Sequence, residues 1–394
     1  MKEYNEIDDS LIEEVIEIRR YLHQYPEISE KEYNTCKFIR EYLDDIGIEN
    51  KIVGDTGVVA TLINNLNYPT IALRAEIDAL PIDEKNSFEY KSKNKGVMHA
   101  CGHDGIVATV LGLACILKEN KEKLNCNIKF IFEPAEETGK GAKKLIEEKV
   151  LENPKVDKMI IFHFANSQPI GMEIQENVST ATIGRVSIDI LGKSSHWGDA
   201  DKGINAISVS GKIINIIDEM NNCLSDKFPF ILGIGMINGG VKNNIMAEKV
   251  RLEGTLRAID DSTFKYLISY LEEKMKFLSK DTGAEIKVNL ESHLPSVINN
   301  EHLVELGSAI GKEIFNDRFI LGKKPYLAGD NAAYYFQLIP GVRIVFFAEK
   351  ENEESYIGYE SRNDSNLQRR RFADPCDRAS GWSVCRDTDQ DRGK

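Results

Sequence analysis

The sequence has no long hydrophobic run and no excess of positive charge. No stretch of about 18 apolar residues occurs in it, so we expect no membrane-spanning helix. The opening MKEYNEIDDSLIEEVIEIRR has no apolar core of the kind a signal peptide requires. The net charge is −13, whereas a nucleic-acid surface needs a basic stripe. We therefore expect an acidic, soluble protein that binds neither membrane nor nucleic acid.

Paired cysteine spacing is also absent. The chain has seven cysteines, an odd number, and their positions do not suggest a disulfide framework. Reduced thiols are typical of proteins of the cytosol. The sequence therefore predicts a cytoplasmic protein.

The first part of the chain, residues 1–181, alternates between apolar strands and helices. The predicted strands are GVVATLI (57–63), TIALRAEI (70–77), NIKFIF (127–132) and DKMIIFHF (157–164), and the predicted helices include 104–117 and 140–150. This alternation is typical of an α/β domain built on a mixed, mostly parallel sheet.

The pattern changes at residue 182. Residues 182–292 read as β-α-β-β-α-β, which is the ferredoxin-like arrangement, and we interpret them as an inserted domain. A helix at 303–314 and the apolar strand VRIVFFA (342–348) then indicate that the first domain resumes over 293–367.

The last 27 residues, 368–394, form an atypical tail. They contain six arginines and one lysine, but no leucine, isoleucine or methionine. Such a segment cannot build an apolar helix face or a buried strand. A shifted reading frame or sequence added by cloning explains this composition, and a native disordered tail is the alternative.

Polar side chains cluster where the predicted strands end. Asp78 follows one strand, the pair Glu136 and Glu137 follows another, and His163 stands at the end of a third. Ligands collect beyond the carboxyl ends of parallel strands. A fourth group, HACGHD (99–104), lies on a loop before a helix. These residue types suit zinc, manganese, cobalt or nickel better than magnesium.

The adjacent glutamates suggest a division of labour. Neighbouring side chains on extended backbone point in different directions. One of Glu136 and Glu137 can therefore bind metal while the other faces the substrate as a general base. Two cations bridged by a thiolate or carboxylate would activate water for hydrolysis.

The chain resembles the M20 metallopeptidase and amidohydrolase family, in particular its hippurate hydrolase and N-acyl-amino-acid amidohydrolase branch. The motifs that carry the resemblance span residues 11–367 and include LRAEIDALP, GVMHACGHDG, PAEETGKGAKKLIE, GKSSH and NGGVKNNIMAEKVRLEGTLR. The resemblance implies a catalytic domain with an inserted lid and dimerisation domain, two divalent transition-metal ions, and a homodimer.

The resemblance also implies roles for individual residues. Glu136 resembles the general base, and His196 the histidine that polarises the scissile carbonyl. Asp78 resembles a residue that orients the metal ligands. The implied metal ligands are Cys101, His103, Glu137 and His163, and the implied substrate-carboxylate ligands are Asn244 and Arg257.

Three departures from the family pattern are visible. The family has a fifth ligand, a histidine near the C-terminus, but no histidine follows His302, and Glu360 stands in the matching stretch. Glu76 replaces the family's usual aspartate, and Ile106 replaces a histidine. The family's Gly-Glu-Asp-Phe becomes the sequence at 329–332, Gly-Asp-Asn-Ala.

The expected activity is hydrolysis of an amide bond in a small N-acyl amino acid. A dipeptidase on the same metal site is an alternative, and a binding protein that has lost catalysis is another. For individual residues, simpler roles compete with these: a core thiol for Cys101, a core histidine for His163, a surface residue for His196, and a cross-sheet ion pair for Arg257.

Overall fold

The structure is a computed structural model and describes residues 7–349. Glu360, residues 350–367 of the predicted resumed domain, and the 368–394 tail lie outside this range. The helices are α1 Asp9–Gln24, α2 Tyr33–Asp45, α3 His103–Glu119, α4 Gly141–Glu147, α5 Ala206–Leu224, α6 Asp261–Thr282, α7 Glu301–Phe315 and α8 Ala333–Phe336. Within the described range, no helix has the length and apolar character needed to cross a membrane.

The strands form a large mixed sheet, a four-stranded sheet and a two-stranded ribbon. Their bounds are β1 Glu49–Val53, β2 Gly57–Leu62, β3 Thr70–Glu76, β4 Asn127–Glu133, β5 Lys158–Pro169, β6 Gly171–Gln175, β7 Val178–Thr180, β8 Thr182–Leu191, β9 Phe230–Gly239, β10 Lys249–Ala258, β11 Glu285–Leu294, β12 Val297–Ile298, β13 Phe319–Gly322 and β14 Gly341–Glu349.

The large sheet has eight strands in the order β1-β2-β4-β3-β5-β14-β6-β13. Its four central strands, β4, β3, β5 and β14, all run parallel to one another. Parallel strands are buried on both faces, and every residue of β4 is buried here. The prediction of a mostly parallel α/β sheet is thus confirmed, and the carboxyl ends of β3 and β4 meet at one edge.

Helices cover both faces of this sheet. On one face, α1, α2 and α3 pack on β2, β3 and β4 around fully buried side chains such as Ile39, Ile106 and Phe130. On the other face, α4 and α8 pack around Leu145 and Tyr335. The helix α3 is largely apolar because it lies between α1 and the sheet.

The smaller sheet is antiparallel, with strand order β11-β8-β10-β9. The helices α5 and α6 pack against it, and Asn205 and Asp260 cap their N-termini. The predicted β-α-β-β-α-β order is confirmed. The exact domain boundaries at 181/182 and 292/293 remain predictions.

Several predicted bounds were wrong. The strand expected to end at 164 continues to Pro169, because β14 pairs with β5 along this length. The helix expected over 140–150 ends at Glu147, and Lys149 adopts a left-handed φ of 60°. The short strands β1, β6, β7, β12 and β13 were not predicted, since few residues in them show a period of two.

Candidate metal centre and active site

The HACGHD loop places two of the predicted ligands at the start of α3. Gly102 has a left-handed φ of 83°, which a glycine adopts without strain, and α3 begins at His103. The turn brings ligand atoms of Cys101, His103 and Glu137 within 4.8 Å of one another. Three side chains from two separate loops therefore converge on one point.

Glu136 and Glu137 lie in a turn, and the prediction of extended backbone here was wrong. Ala135 precedes them with a left-handed φ of 53°, a strained conformation for a residue with a Cβ. Two buried carboxylates hold the turn: Glu32 accepts the Ala135 N–H at 2.8 Å, and Asp78 accepts the Glu137 N–H at 3.0 Å. The turn still directs the two glutamates differently, because only Glu137 belongs to the ligand cluster.

Hydrogen bonds fix the tautomers of two histidines. The Nδ1 of His103 lies 2.8 Å from the carbonyl oxygen of Asp78, and the Nδ1 of His163 lies 2.7 Å from that of Phe164. A carbonyl only accepts, so each Nδ1 carries a proton. In both rings Nε2 is therefore the nitrogen left to bind a metal ion, which would replace any proton on it.

His163 stands beside this cluster. Its ring centroid is 6.1 Å from that of His103. Burial and the positive charge of Arg343 lower the pKa of His163 to about 3, so the ring is neutral at pH 7. The residue lies within β5 at the level where β3 ends, and the prediction that it closes its strand was wrong.

The donor set fits a transition-metal ion. Glu137 Oε1 is buried and has no hydrogen-bond partner among the described residues. Burial and the negative charge of Glu137 raise the pKa of the Cys101 thiol, so a nearby cation is required to hold it as a thiolate. A thiolate, an imidazole and a carboxylate can thus converge here. Zinc and the neighbouring transition metals bind these types of ligand.

Glu136 is the second carboxylate at the cluster. Burial, together with the negative charges of Asp330 and Glu137, raises its pKa well above the ordinary value. The backbone N–H of Asn331 lies 3.4 Å from Glu136 Oε1. A carboxyl group whose pKa is raised in this way is suited to take and return a proton.

Beneath Glu136 lies a buried ionic cluster that the sequence analysis did not identify as a unit. Arg74 is 1% exposed and donates through Nε to Glu133 at 2.9 Å, and through NH1 to Glu76 and, at 3.2 Å, to Asp330. Its NH2 donates to Asn331 Oδ1 at 2.5 Å. Charged residues inside the apolar strand LRAE were the available signal, because buried charges require partners.

The remaining predicted residues lie on or beside the four-stranded sheet. His196 forms an isolated bridge with Ile245, so it is close to the exposed Asn244, and its Nδ1 accepts the Gly198 N–H at 3.1 Å. Since Nδ1 accepts, the proton of a neutral His196 is on Nε2. Arg257 donates to the carbonyl of Leu327 at 2.7 Å, which joins this sheet to the loop before residue 330.

Comparisons with known proteins identify the family of this chain. Residues 72–369 match the sequence profile of peptidase family M20/M25/M40. N-acetyl-L-cysteine deacetylase of Bacillus subtilis is 34% identical over 360 residues, covering 89% of this chain and 85% of the relative. Thermostable carboxypeptidase 1 of Saccharolobus solfataricus is 35% identical over 347 residues, covering 86% of each.

Solved structures agree. A protein of methicillin-resistant Staphylococcus aureus, described as an aminohydrolase by assignment only, superposes with a TM-score of 0.82 at 29% identity, covering 89% of this chain and 91% of that one. The YXEP protein of Bacillus subtilis, described as a dinuclear metal-binding M20 peptidase, gives 0.77 at 28% identity, covering 89% and 92%. The resemblance seen in the sequence is confirmed, and the chain belongs to peptidase family M20/M25/M40.

Proposed function

We propose that this protein uses two divalent transition-metal ions to hydrolyse the amide bond of a small N-acyl amino acid. The observation that carries the proposal is the convergence of Cys101, His103 and Glu137 beside Glu136. The enzyme class, a hydrolase of amide bonds, agrees with relatives named as a deacetylase and a carboxypeptidase.

The metal ligands in this proposal are Cys101, His103, Glu137 and His163. Asp78 orients them, because it holds His103 through its carbonyl and the Glu137 N–H through its carboxylate. Glu360 lies outside the described residues, and its place as a fifth ligand remains a prediction. When bound, the ions acidify water and polarise the carbonyl of the substrate.

The proton path runs through Glu136. Its carboxylate takes a proton from the water that attacks the carbonyl carbon, and a C–O bond forms. When the C–N bond breaks, the same carboxyl returns the proton to the leaving nitrogen, so that a carboxylic acid and a free amine result. The raised pKa of Glu136 suits both transfers.

Three residues on or beside the smaller sheet complete the proposal. The Nε2–H of His196 is a donor for the carbonyl oxygen, where negative charge develops. Asn244 and Arg257 bind the substrate carboxylate, and Arg257 would exchange its bond to Leu327 for the substrate.

A dipeptidase on the same site is the second candidate, and it is favoured by the similarity to a carboxypeptidase. The two candidates differ in whether a free α-amino group on the substrate is tolerated. A panel of N-acetyl and N-benzoyl amino acids, tested beside matching dipeptides, separates them. Absence of amine release from every substrate, with two metals bound per chain, would contradict both.

Metal content tests the ligand set directly. Protein purified without chelator should hold about two transition-metal ions per chain, as measured by plasma mass spectrometry. Cys101→Ser and Glu137→Gln should each lose at least about one ion, since each removes a converging ligand. Cys223→Ser removes an exposed thiol and serves as the matched control. Full metal content in both ligand variants would contradict the assignment, and Glu360→Ala tests the fifth ligand in the same way.

The metal identity and the location are also proposals. Zinc, manganese, cobalt and nickel all suit a mixed sulfur, nitrogen and oxygen ligand set. The described cysteines, Cys36, Cys101, Cys115, Cys126 and Cys223, are all free thiols, and this supports a cytoplasmic location.

We propose in addition that the protein is a homodimer that pairs through β9. The edge strand β9 carries no charged residue, whereas the opposite edge, β11, carries Glu285, Lys287 and Glu291. Charges protect an exposed edge against pairing. Ile237 on β9 and Val241 just beyond its end are 52% and 97% exposed.

Placing a charge on β9 tests this interface. Ile237→Lys should shift the protein to monomer in sedimentation velocity at micromolar concentration, because lysine at an edge opposes strand pairing. Leu290→Lys, on the opposite edge, is the matched control and should leave the dimer intact. A wild-type monomer, or equal dissociation of both variants, would contradict the β9 interface.

A further inference from the structure

In the buried cluster around Arg74, two carboxylate side chains of unequal length accept hydrogen bonds from the same guanidinium nitrogen. NH1 of Arg74 is shared by Glu76, from the same strand, and Asp330, which is 256 residues further along the chain. The three side chains are at most 6% exposed. Because they are buried, neither carboxylate can move outward to admit a longer partner.

This nitrogen also fixes the segment that touches Glu136. Asp330 Oδ1 accepts the Ala332 N–H at 3.0 Å, and its Oδ2 accepts Arg343 Nε at 3.0 Å. Asn331, which lies between residues 330 and 332, accepts a hydrogen bond from Arg74 NH2 through its side-chain oxygen. Its backbone N–H points to Glu136. The position of that N–H therefore depends on how Asp330 reaches Arg74.

We propose that Glu76 and Asp330 are a length-matched pair of positioning residues that, through Arg74, hold the Asn331 N–H against Glu136. Both carboxylates accept from the same nitrogen and are buried, so a change in the length of one side chain displaces the other. The proposal rests on the proposed function for the role of Glu136.

A double-mutant cycle tests the pair. Glu76→Asp and Asp330→Glu should each lower kcat about 10²-fold with little change in KM, because a displaced N–H misplaces the general base. The double variant, with the lengths exchanged, should return to within about threefold of the wild-type kcat, since neighbouring residues couple. Metal content should stay at the wild-type level throughout.

Glu133 provides the matched control. It binds Arg74 through Nε alone, at 2.9 Å, so Glu133→Asp shortens a carboxylate on the same guanidinium but on a different nitrogen. Adding Asp330→Glu to Glu133→Asp should give no recovery of kcat. Recovery there would mean that any shortened carboxylate relieves the cluster, and the pairing of Glu76 with Asp330 would be overturned.

A second readout does not require turnover. The rate at which a water-soluble carbodiimide labels Glu136, followed by peptide mass spectrometry with Glu136→Gln as the unlabelled reference, reports the surroundings of that carboxyl. We expect each single variant to change the rate and the double variant to restore it. If wild type hydrolyses no substrate but labelling is restored, the proposed function fails and the pair stands. Additive effects in the double variant, or restored thermal stability without restored labelling, overturn the pair.

Discussion

Replacing Glu136 by glutamine is expected to lower kcat by about 10³-fold or more while metal content stays at the wild-type level. The amide has nearly the shape of the carboxylate but cannot take a proton from water. Glu136 is outside the converging ligand group formed by Cys101, His103 and Glu137. The variant should thus separate proton transfer from metal binding, measured by steady-state kinetics beside plasma mass spectrometry.

The pH dependence gives a second test of the same residue. The acidic limb of kcat/KM in the wild type should report protonation of Glu136, whose pKa is raised by burial and the neighbouring negative charges and lowered by bound cations. Glu137→Gln is the contrasting variant, because it should lose metal and activity together. Unchanged kcat in Glu136→Gln would exclude this residue as the base. Loss of metal in that variant would instead make it a ligand.

Much of the fold could be predicted from the sequence because most of its strands have simple hydrophobic patterns. The central strands β3, β4 and β5 are nearly continuous apolar runs, and β8 to β11 alternate with two amphipathic helices. The strands that were not predicted are short, and their tertiary pairing rather than their own sequence defines them. For example, β13 has four residues and is defined by its parallel pairing with β6.

The grouping of the candidate site was predicted in part because its residues fall at strand ends or in one short motif. Asp78, Glu136 and Glu137 follow β3 and β4, which are neighbours and parallel. The conformation of the Ala135 turn was not predicted, because its left-handed φ depends on Glu32, which is 103 residues away and accepts the Ala135 N–H.

The ionic cluster shows what sequence spacing cannot supply. Arg74 and Asp330 are separated by 256 residues, and nothing in either local sequence links them. In the sequence, Glu76 and Asp330 are two unrelated departures from the family pattern. In the structure both accept from one nitrogen of Arg74.

His23, which is not among the predicted site residues, is the centre of a second buried charge network. Its Nδ1 lies 2.9 Å from Asp104 and its Nε2 lies 3.1 Å from Glu84. Ionised carboxylates only accept, so both ring nitrogens carry protons and the ring is an imidazolium. Burial opposes this charge, but Asp104 and Glu84 outweigh burial and raise the pKa of His23.

Replacing His23 by leucine should lower the free energy of unfolding by about 3–5 kcal/mol near pH 6, because Asp104 and Glu84 lose their shared cation. Both carboxylates are at most 3% exposed. Asp104 keeps Arg19 at 3.3 Å, so the larger share of the loss comes from Glu84. Urea unfolding of metal-free protein measures the difference without a contribution from bound metal.

The pH dependence of that difference has a definite sign. The pKa of His23 is higher in the folded than in the unfolded state, so its contribution is complete below about pH 6.5 and is lost as the pH rises through the folded-state value. The gap between wild type and His23→Leu should therefore narrow with rising pH. His302→Leu, at a histidine whose side chain is 73% exposed, should change stability by less than about 0.5 kcal/mol. If the difference in unfolding free energy between wild type and His23→Leu stays constant from pH 6 to 9, His23 contributes packing rather than charge. The loop at residues 84–92 would then be held by its own hydrogen bonds.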